Sequence, residues 1–307
     1  MAKQRPVIFR PFQMPRYAFD KLRICRRCGQ FTALSEERCT RCGRAALQPV
    51  REYAARAAGR SMAVRLMLAL LLAAAAVYLA DNTGQRLLCA AAGLVLCGLL
   101  YAAQRRSRRV QNWRALETLL KRSLIPIKEG LEVNRREAVS VLREDDVLAY
   151  EKLREVAVLL RGDRVSRQRI ALLSGFIIRK DMDLEMEQLL LADFEPLLAK
   201  YIGEVAKVRR DLIKDRTFRY VQDHEVEILR MPEGLSILTA VAGAAVRSKR
   251  YALLYSGIVA RYAELLPRDR FVRLAYLVGA YPYEPWNGLD AKVARVREQK
   301  YRYDAEM

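Results

Sequence analysis

The chain has 307 residues, of which 52% are hydrophobic, and it carries a formal net charge of +20. A chain of this size and composition can bury a core without disulfides, which excludes a small disulfide-stapled scaffold. Residues 1–110 hold 20 of the 55 Lys and Arg but only 5 of the 35 Asp and Glu. Because this basic charge flanks apolar runs, it indicates membrane-topology signals and anionic lipid rather than a general nucleic-acid coat.

Residues 1–21 form a predicted basic N-terminal arm, and the stretch ICRRCGQFTALSEERCTRCGR follows, which holds four of the six cysteines. Cys25, Cys28, Cys39 and Cys42 have the spacing Cys-x2-Cys-x10-Cys-x2-Cys, and a glycine follows each pair. A two-residue gap lets each pair turn around one ion, and the glycine frees the backbone after the turn. Four thiolates complete a tetrahedron, so the pattern predicts a structural zinc site with no position for substrate.

This stretch resembles the short zinc ribbon at the N-termini of many bacterial proteins, several of them membrane proteins, in which two Cys-x-x-Cys-Gly knuckles flank a hairpin. The resemblance covers only residues 22–46. It implies zinc bound by Cys25, Cys28, Cys39 and Cys42, and a role in protein contacts or regulation without an assigned reaction. This chain departs from the family in the hairpin, where ALSEER replaces the usual proline or glycine and indicates a looser turn.

Arginines crowd the predicted ribbon, and Arg26, Arg27, Arg38 and Arg41 are the candidates for contact with phosphate groups. Such cations neutralise nucleic-acid phosphates or the negative cytoplasmic leaflet of a membrane equally well. Within the ribbon only Phe31 is available to stack on a base, whereas single-strand binding needs aromatic platforms. Anionic lipid headgroups or an acidic protein partner are therefore favoured, and nucleic-acid binding is the less favoured alternative.

Residues 47–61 are interpreted as a linker to a transmembrane helical hairpin over residues 62–103. Its two apolar runs are each close to the ~20 residues that cross a hydrocarbon core of ~30 Å as a helix. The alternative is a pair of buried helices in a soluble core. The outer flanks oppose that alternative, because four arginines precede the first run and Arg105, Arg106, Arg108 and Arg109 follow the second. By the positive-inside rule, the chain is predicted to be a two-pass integral protein of the bacterial cell membrane with both termini cytoplasmic.

Small residues recur at four-residue spacing in the hairpin, as Cys89, Gly93 and Cys97 in the second run and Ala69 and Ala73 in the first. This spacing places them on one helical face and predicts close antiparallel packing. A homo-oligomer formed through the hairpin is compatible with the same pattern. Redox or lipidated thiols are the alternative interpretation of Cys89 and Cys97, and packing is favoured.

Residues 104–307 are predicted to be a cytoplasmic α-helical domain, either a bundle or a short α-solenoid, because apolar residues recur at three- and four-residue spacing. The fold class is therefore mainly α, with the ribbon and the membrane hairpin before this domain. No stretch of it is interpreted as a strand. The acidic run DMDLEME, residues 181–187, is interpreted as the start of a helix rather than as a calcium loop, because the loop glycine is missing.

Catalytic patterns are not found in the sequence. The single histidine, His224, is interpreted as a solvated side chain, and no phosphate-binding, dinucleotide-binding or nucleophile-elbow motif is present. The chain is therefore predicted not to be an enzyme. Tyr281, Tyr283 and Trp286 lie in the segment YPYEPWNG and are candidate partner-binding residues, although the same aromatics could instead seal the end of the helical domain.

These features together predict a membrane-anchored scaffold or adaptor. Its zinc ribbon and helical domain would position an unidentified cytoplasmic protein partner at the inner leaflet. The alternative is a membrane-tethered nucleic-acid-binding protein that uses the basic ribbon. A third possibility is an enzyme subunit whose catalytic chain is supplied separately.

Overall fold

The computed structural model describes residues 5–302, which divide into two compact units. The ribbon–hairpin unit consists of residues 14–137 and 158–160, and the helical unit contains residues 5–13, 138–157 and 161–302. Residues 1–4 of the predicted arm and residues 303–307 of the predicted helical domain lie outside the described part. The unit boundaries differ from the predicted ones, because residues 104–137 belong with the ribbon and residues 5–13 belong with the helices.

A small antiparallel sheet forms the ribbon, with strands in the order β2-β1-β3. Its strands are β1 (Arg23–Cys25), β2 (Phe31–Thr32) and β3 (Leu47–Pro49). Ile24 of the central strand lies opposite Phe31 on one side and opposite Gln48 on the other. These short strands gain most of their stability from packing, since the buried Ile24 and Phe31 join a hydrophobic cluster with Leu131.

The predicted linker, residues 47–61, is not a linker in the structure. Strand β3 is followed directly by helix α1 (Val50–Tyr78), so the first turns of the helix begin inside the ribbon. Val50 donates its backbone N–H to the Leu22 carbonyl at 3.1 Å, and Val50 and Ala54 are buried in the ribbon cluster. Pro49 suits this junction because it ends the strand with extended backbone, φ −56° and ψ 137°, and its missing N–H costs the following helix no hydrogen bond. The helix is therefore fixed to the ribbon at its origin.

Helix α2 (Thr83–Arg122) returns antiparallel to α1 and continues well beyond the predicted end of the hairpin at Ala103. Both helices are long and apolar enough to cross a membrane, and their apolar windows are almost wholly exposed. The core helix of a soluble protein is covered by the rest of its own chain, but these helices are not. An exposed apolar surface of this size marks a contact with lipid or with another protein. Close packing is confirmed where Gly93 lies against Ala73, because a Cβ at Gly93 would be 2.7 Å from the Ala73 Cβ.

Helix α3 (Leu124–Ser140) packs against the ribbon through its middle turns. Gly130 lies so close to the sheet that a Cβ there would meet the Phe31 carbonyl oxygen at 2.3 Å. One turn further, the buried Asn134 accepts the backbone N–H of Ala33 through its side-chain oxygen at 2.9 Å. The small residue and the amide together let a helix approach a sheet edge without leaving a buried backbone donor unpaired.

Ten α-helices follow in the described part of the helical unit, and one hydrophobic core runs through them, as in a bundle. They are α4 (Asp146–Ala157), α5 (Asp163–Leu173), α6 (Pro196–Val208), α7 (Asp215–Asp223), α8 (Glu225–Leu229), α9 (Gly234–Ala245), α10 (Lys249–Leu254), α11 (Ser256–Tyr262), α12 (Arg268–Ala280) and α13 (Leu289–Lys300). Helices α6 and α9 approach each other closely at Gly203, where a Cβ would be 2.9 Å from the Ile237 side chain. The predicted mainly helical fold is confirmed.

The segment between α5 and α6, residues 174–195, contains no helix, so the helix start predicted at DMDLEME is wrong. Met182, Leu184 and Met186 are buried while the acidic residues between them face outward or are half-buried. This alternation is the geometry of extended backbone, in which successive side chains point to opposite sides. Glu185 is neutralised by the fully buried Arg169, and Asp183 contacts the buried Arg154 at 3.4 Å. The acidic run is therefore held by arginines from α4 and α5.

The described part of the predicted basic arm is integrated into the helical unit. Arg5 forms a parallel bridge with Phe176, and its carbonyl accepts the Ile177 N–H at 3.0 Å. Phe9 is buried against Tyr150, with the two ring centroids 4.7 Å apart. The arm thus contributes apolar side chains to a core, which its arginine content did not indicate.

Candidate metal centre

The two knuckles of the ribbon have the same backbone structure. In the first, Gly29 donates its N–H to the Cys25 carbonyl at 2.9 Å, and in the second Gly43 donates to the Cys39 carbonyl at 2.8 Å. Both glycines have left-handed φ values, +72° for Gly29 and +69° for Gly43. Residues with a Cβ rarely adopt this conformation, so each glycine allows its knuckle to close behind the second cysteine.

The four cysteine sulfurs converge on one point between the knuckles, and all lie within 4.8 Å of one another. The closest approaches cross from one knuckle to the other, with 3.6 Å between the sulfurs of Cys25 and Cys42 and between those of Cys28 and Cys39. A metal ion with bonds of about 2.3 Å to tetrahedral thiolates separates them by about 3.8 Å. The cysteines are not joined by disulfides, and their arrangement fits one tetrahedral metal ion.

The surroundings of the thiols affect their ionisation unequally. Burial raises the pKa of Cys25, but hydrogen bonds from the backbone N–H groups of Cys28 and Arg27 outweigh it and lower that pKa to about 7. Burial is also the largest effect on Cys28, and together with the neighbouring thiols it raises the pKa there to about 12. A metal ion bound by Cys28 must therefore displace the proton of that thiol, which is how such sites couple metal binding to proton release.

The ribbon arginines predicted to contact phosphate all lie on the surface. Arg26, Arg27, Arg38 and Arg41 are exposed. Arg26 differs from the other three because its Nε donates to the side-chain oxygen of the buried Gln48 at 2.6 Å. The arginines that follow the second apolar run, Arg105, Arg106, Arg108 and Arg109, are likewise exposed along α2.

The aromatic residues considered for binding differ from the arginines, because two of them are buried. Phe31, the ring considered for base stacking, is 3% exposed and packs within the ribbon cluster. Trp286, predicted to bind a partner, is also buried, and its indole N–H donates to the Tyr281 carbonyl at 2.9 Å. Tyr283 is fully exposed. The structure therefore favours the sealing interpretation for Trp286 and leaves Tyr281 and Tyr283 at the surface.

His224 is not the solvated side chain that the sequence indicated. Its ring lies against Tyr220, with centroids 4.7 Å apart, and its Nε2 lies 3.2 Å from the Ala192 carbonyl. These contacts hold the loop before α6 against α7. Within the described residues, the cysteine group is the one cluster of three or more potential metal ligands.

Sequence reasoning missed two residues that shape the surroundings of the site. Asn134 contacts the ribbon from a position 101 residues away along the chain, and no local pattern marks it. Gln48 lies close in sequence to the second knuckle, but a single glutamine matches no motif that would mark it as part of the site. Comparisons with known protein families, curated proteins and solved structures find no match to this chain.

Proposed function

We propose that this chain is a two-pass integral membrane protein with cytoplasmic termini, and that it acts as a scaffold or adaptor for a cytoplasmic protein partner. The observation that carries the proposal is the uninterrupted passage from the ribbon into an exposed apolar helix at Pro49 and Val50. Because the helix begins within the ribbon core, a bilayer around α1 would hold the ribbon at a fixed height above its surface. A rigidly placed module suits a docking role.

The proposed metal is zinc, bound by Cys25, Cys28, Cys39 and Cys42. Four thiolates at tetrahedral spacing suit zinc, and they leave no coordination position for water or substrate. The proposed role of the metal is therefore structural, and the protein as a whole is proposed to be non-catalytic. The exposed tyrosines Tyr281 and Tyr283 are the proposed partner-binding residues of the helical unit.

The nucleic-acid alternative is less well supported by the geometry. Its binding site would need the ribbon arginines together with a stacking ring, but Phe31 is buried in the hydrophobic cluster of the ribbon. The exposed arginines at both outer flanks of the apolar helices are the arrangement expected for lipid contact and for the positive-inside rule.

Topology is tested by labelling with a thiol reagent that cannot cross the membrane, in whole cells that express a variant without Cys89 and Cys97. A cysteine at Thr83, the first residue of α2, should be labelled from outside, whereas cysteines at Ser61 and Gln299 should be labelled only after the membrane is opened. All of these positions are exposed, so accessibility of the side chain itself does not differ. Labelling of Gln299→Cys in intact cells would overturn the two-pass topology.

The choice of partner is tested by affinity capture of the full chain from gently solubilised membranes, with and without nuclease. A scaffold should retain the same protein partner after nuclease treatment. Loss of every captured protein on nuclease treatment would replace the scaffold with the nucleic-acid alternative.

A further inference from the structure

A basic groove lies where the ribbon meets the start of α1, entirely within the ribbon–hairpin unit. It has a volume of about 810 Å³ and is lined by Arg26, Gln48, Tyr53, Arg56, Gly59, Arg60 and Ala63. In the part of the chain that the structure describes, no carboxylate lines this groove. Glu52 lies outside it but forms an exposed ion pair with Arg56 Nη2 at 3.5 Å.

The arrangement around Gln48 brings two arginines together at a neutral amide, although Arg56 also pairs with the exposed Glu52 through its other nitrogen. Arg26 Nε and Arg56 Nη1 both donate to the same Gln48 side-chain oxygen, at 2.6 Å and 2.5 Å. The distance between Arg26 Nε and Arg56 Nη1 therefore cannot exceed the sum of these two hydrogen-bond lengths. The oxygen atom between them belongs to a neutral amide. Gln48 is itself buried, with 6% of its surface exposed, so it is a fixed anchor for both side chains.

Like charges held this close repel each other, and an anion between or beside them relieves the repulsion. Guanidinium groups present several N–H donors in a plane, which suits the oxygen atoms of a phosphate. A groove of converging arginines with a neutral anchor therefore has the chemistry of a phosphate site.

The position of the groove along α1 distinguishes a lipid phosphate from other phosphates. Arg56 to Ala63 extend about 10 Å along the helix at 1.5 Å per residue, which is long enough to cross the headgroup layer of one leaflet, about 5–8 Å. Arg60 is followed almost at once by the apolar run, whose exposed side chains include Val64 and Met67. The groove is thus polar at the ribbon and continues into an apolar helix surface, which matches the polarity of a phospholipid.

We propose that this groove binds the phosphate group of an anionic phospholipid, with Arg26, Arg56 and Arg60 contacting the phosphate and the acyl chains following α1. The inference rests on the proposed membrane insertion, and it adds one defined lipid site to it. Arg27 and Arg41 are exposed ribbon arginines outside the groove, so they contribute only to general attraction toward the membrane.

The test measures phosphatidylglycerol bound to the purified full chain by native mass spectrometry from detergent. The variant Arg26→Gln, Arg56→Gln, Arg60→Gln is compared with the control Arg27→Gln, Arg41→Gln, Arg44→Gln, which removes the same charge outside the groove. At roughly 1 kcal/mol for each basic residue near the lipid, each groove arginine corresponds to about a fivefold change in affinity. The groove variant should therefore bind about 100-fold more weakly, and the control should bind as wild type.

A second variant, Gln48→Glu, retains every arginine but places a carboxylate between them. It should also lose the bound lipid, and it carries the test if the triple variant fails to fold by circular dichroism. Equal lipid retention in the groove and control variants, or full retention in Gln48→Glu, would overturn the proposal. Displacement of the lipid by millimolar inorganic phosphate would assign the groove to a soluble phosphate instead.

Oligonucleotide binding that is lost only in the groove variant would assign the groove to nucleic acid and overturn the lipid site. Failure of the proposed membrane insertion would give a different result from failure of the lipid site. If the wild-type chain is released from cell membranes by alkaline carbonate, membrane insertion itself is wrong. If it stays in the membrane fraction while the groove variant retains its lipid, only the groove site is wrong.

Discussion

Gly93 of α2 lies directly against Ala73 of α1, in a contact that leaves no room for a side chain on the glycine. A Cβ at Gly93 would be 2.7 Å from the Ala73 Cβ, whereas a Cβ at Gly98 in the same helix would meet no atom within 4 Å. The two glycines therefore have different roles, although both lie in the second apolar run. Gly93 sets the distance between the helices, and Gly98 does not.

We expect Gly93→Ala to destabilise the hairpin by about 1–3 kcal/mol, because the added methyl group forces the helices apart. Gly98→Ala is the matched control and should cause no loss, since alanine favours a helix over glycine by up to ~1 kcal/mol. Thermal unfolding of the full chain in detergent, followed by circular dichroism, measures the difference. Equal melting temperatures for the two variants would contradict the packing described here.

Metal binding gives a second prediction. Elemental analysis of the purified chain should find one zinc ion per chain, and Cys25→Ser combined with Cys28→Ser should abolish it, because a tetrahedral site cannot form from the second knuckle alone. Cys89→Ser combined with Cys97→Ser removes the same number of thiols from the apolar helix and should leave the metal content unchanged. Stoichiometric zinc in the ribbon variant would show that the metal is held elsewhere.

The contact between α3 and the ribbon gives a third prediction. Asn134→Ala removes the acceptor for the buried Ala33 N–H, and an unpaired buried donor costs about 1–3 kcal/mol. The free energy of unfolding should fall by this amount in urea titrations of the detergent-solubilised chain. Asn82→Ala, at an exposed asparagine between α1 and α2 whose side chain makes no capping bond, should change it by less than about 0.5 kcal/mol. Similar losses for both asparagines would exclude a specific role for Asn134.

The cysteine cluster could be predicted from sequence because its geometry is local. Two Cys-x-x-Cys-Gly steps determine both knuckles, and the glycines that follow them have the left-handed backbone that this spacing requires. The two long apolar helices could also be predicted from sequence, since length and composition alone define a candidate membrane span.

The partners of the ribbon could not be predicted, because they depend on contacts between distant parts of the chain. Asn134 and Gly130 lie on a helix that reads as an ordinary amphipathic segment, and their contact with Phe31 and Ala33 is formed only by the fold. The arm shows the same limit, since Phe9 joins a core through pairing with residues near Phe176.

One missed feature did have a signal in the sequence. DMDLEME alternates acidic and apolar residues without a break, which is the period of an extended chain and not that of a helix. Its charges favoured a helix start, but the apolar residues at every second position are the ones that the structure buries. The period of the apolar residues was the better guide because their burial supplies the larger free energy.

A fourth prediction concerns pH and the helical unit. Burial raises the pKa of Glu225, but hydrogen bonds from Arg261 at 2.5 Å and Tyr262 at 2.6 Å outweigh it and hold that pKa below its usual value. A carboxyl with a lowered folded-state pKa stabilises the protein above its unfolded pKa, and this contribution is lost as the pH falls through the folded value. Glu225→Gln should therefore cost about 1 kcal/mol at neutral pH.

The cost of Glu225→Gln should begin to shrink as the pH falls below the usual carboxyl pKa of about 4.3, and it should disappear below the lower folded-state pKa, where the wild-type carboxyl is also protonated. Urea unfolding at several pH values measures it, with Glu298→Gln at an exposed position of α13 as the control. A penalty for Glu225→Gln that persists unchanged into acid would mean that the side chain acts through packing and not through its charge.

The last prediction separates the two aromatic residues that the sequence could not tell apart. Trp286 is 2% exposed and Tyr283 is fully exposed, although only a short stretch of chain lies between them. Trp286→Ala should lower the free energy of unfolding by about 3–5 kcal/mol, as expected when a large buried side chain is removed. Tyr283→Ala should change it by less than about 0.5 kcal/mol.

Partner contact is measured separately, by placing a photo-crosslinking amino acid at Tyr283 in the full chain in cells. A protein adduct should form there and be absent when the same group is placed at Tyr276, which is also exposed, at 73%, but lies outside the predicted partner-binding segment. Because both positions are on the surface of the helical unit, a difference between them reflects docking and not accessibility. Equal adducts at both positions, or none at Tyr283, would remove this surface from the proposed scaffold function.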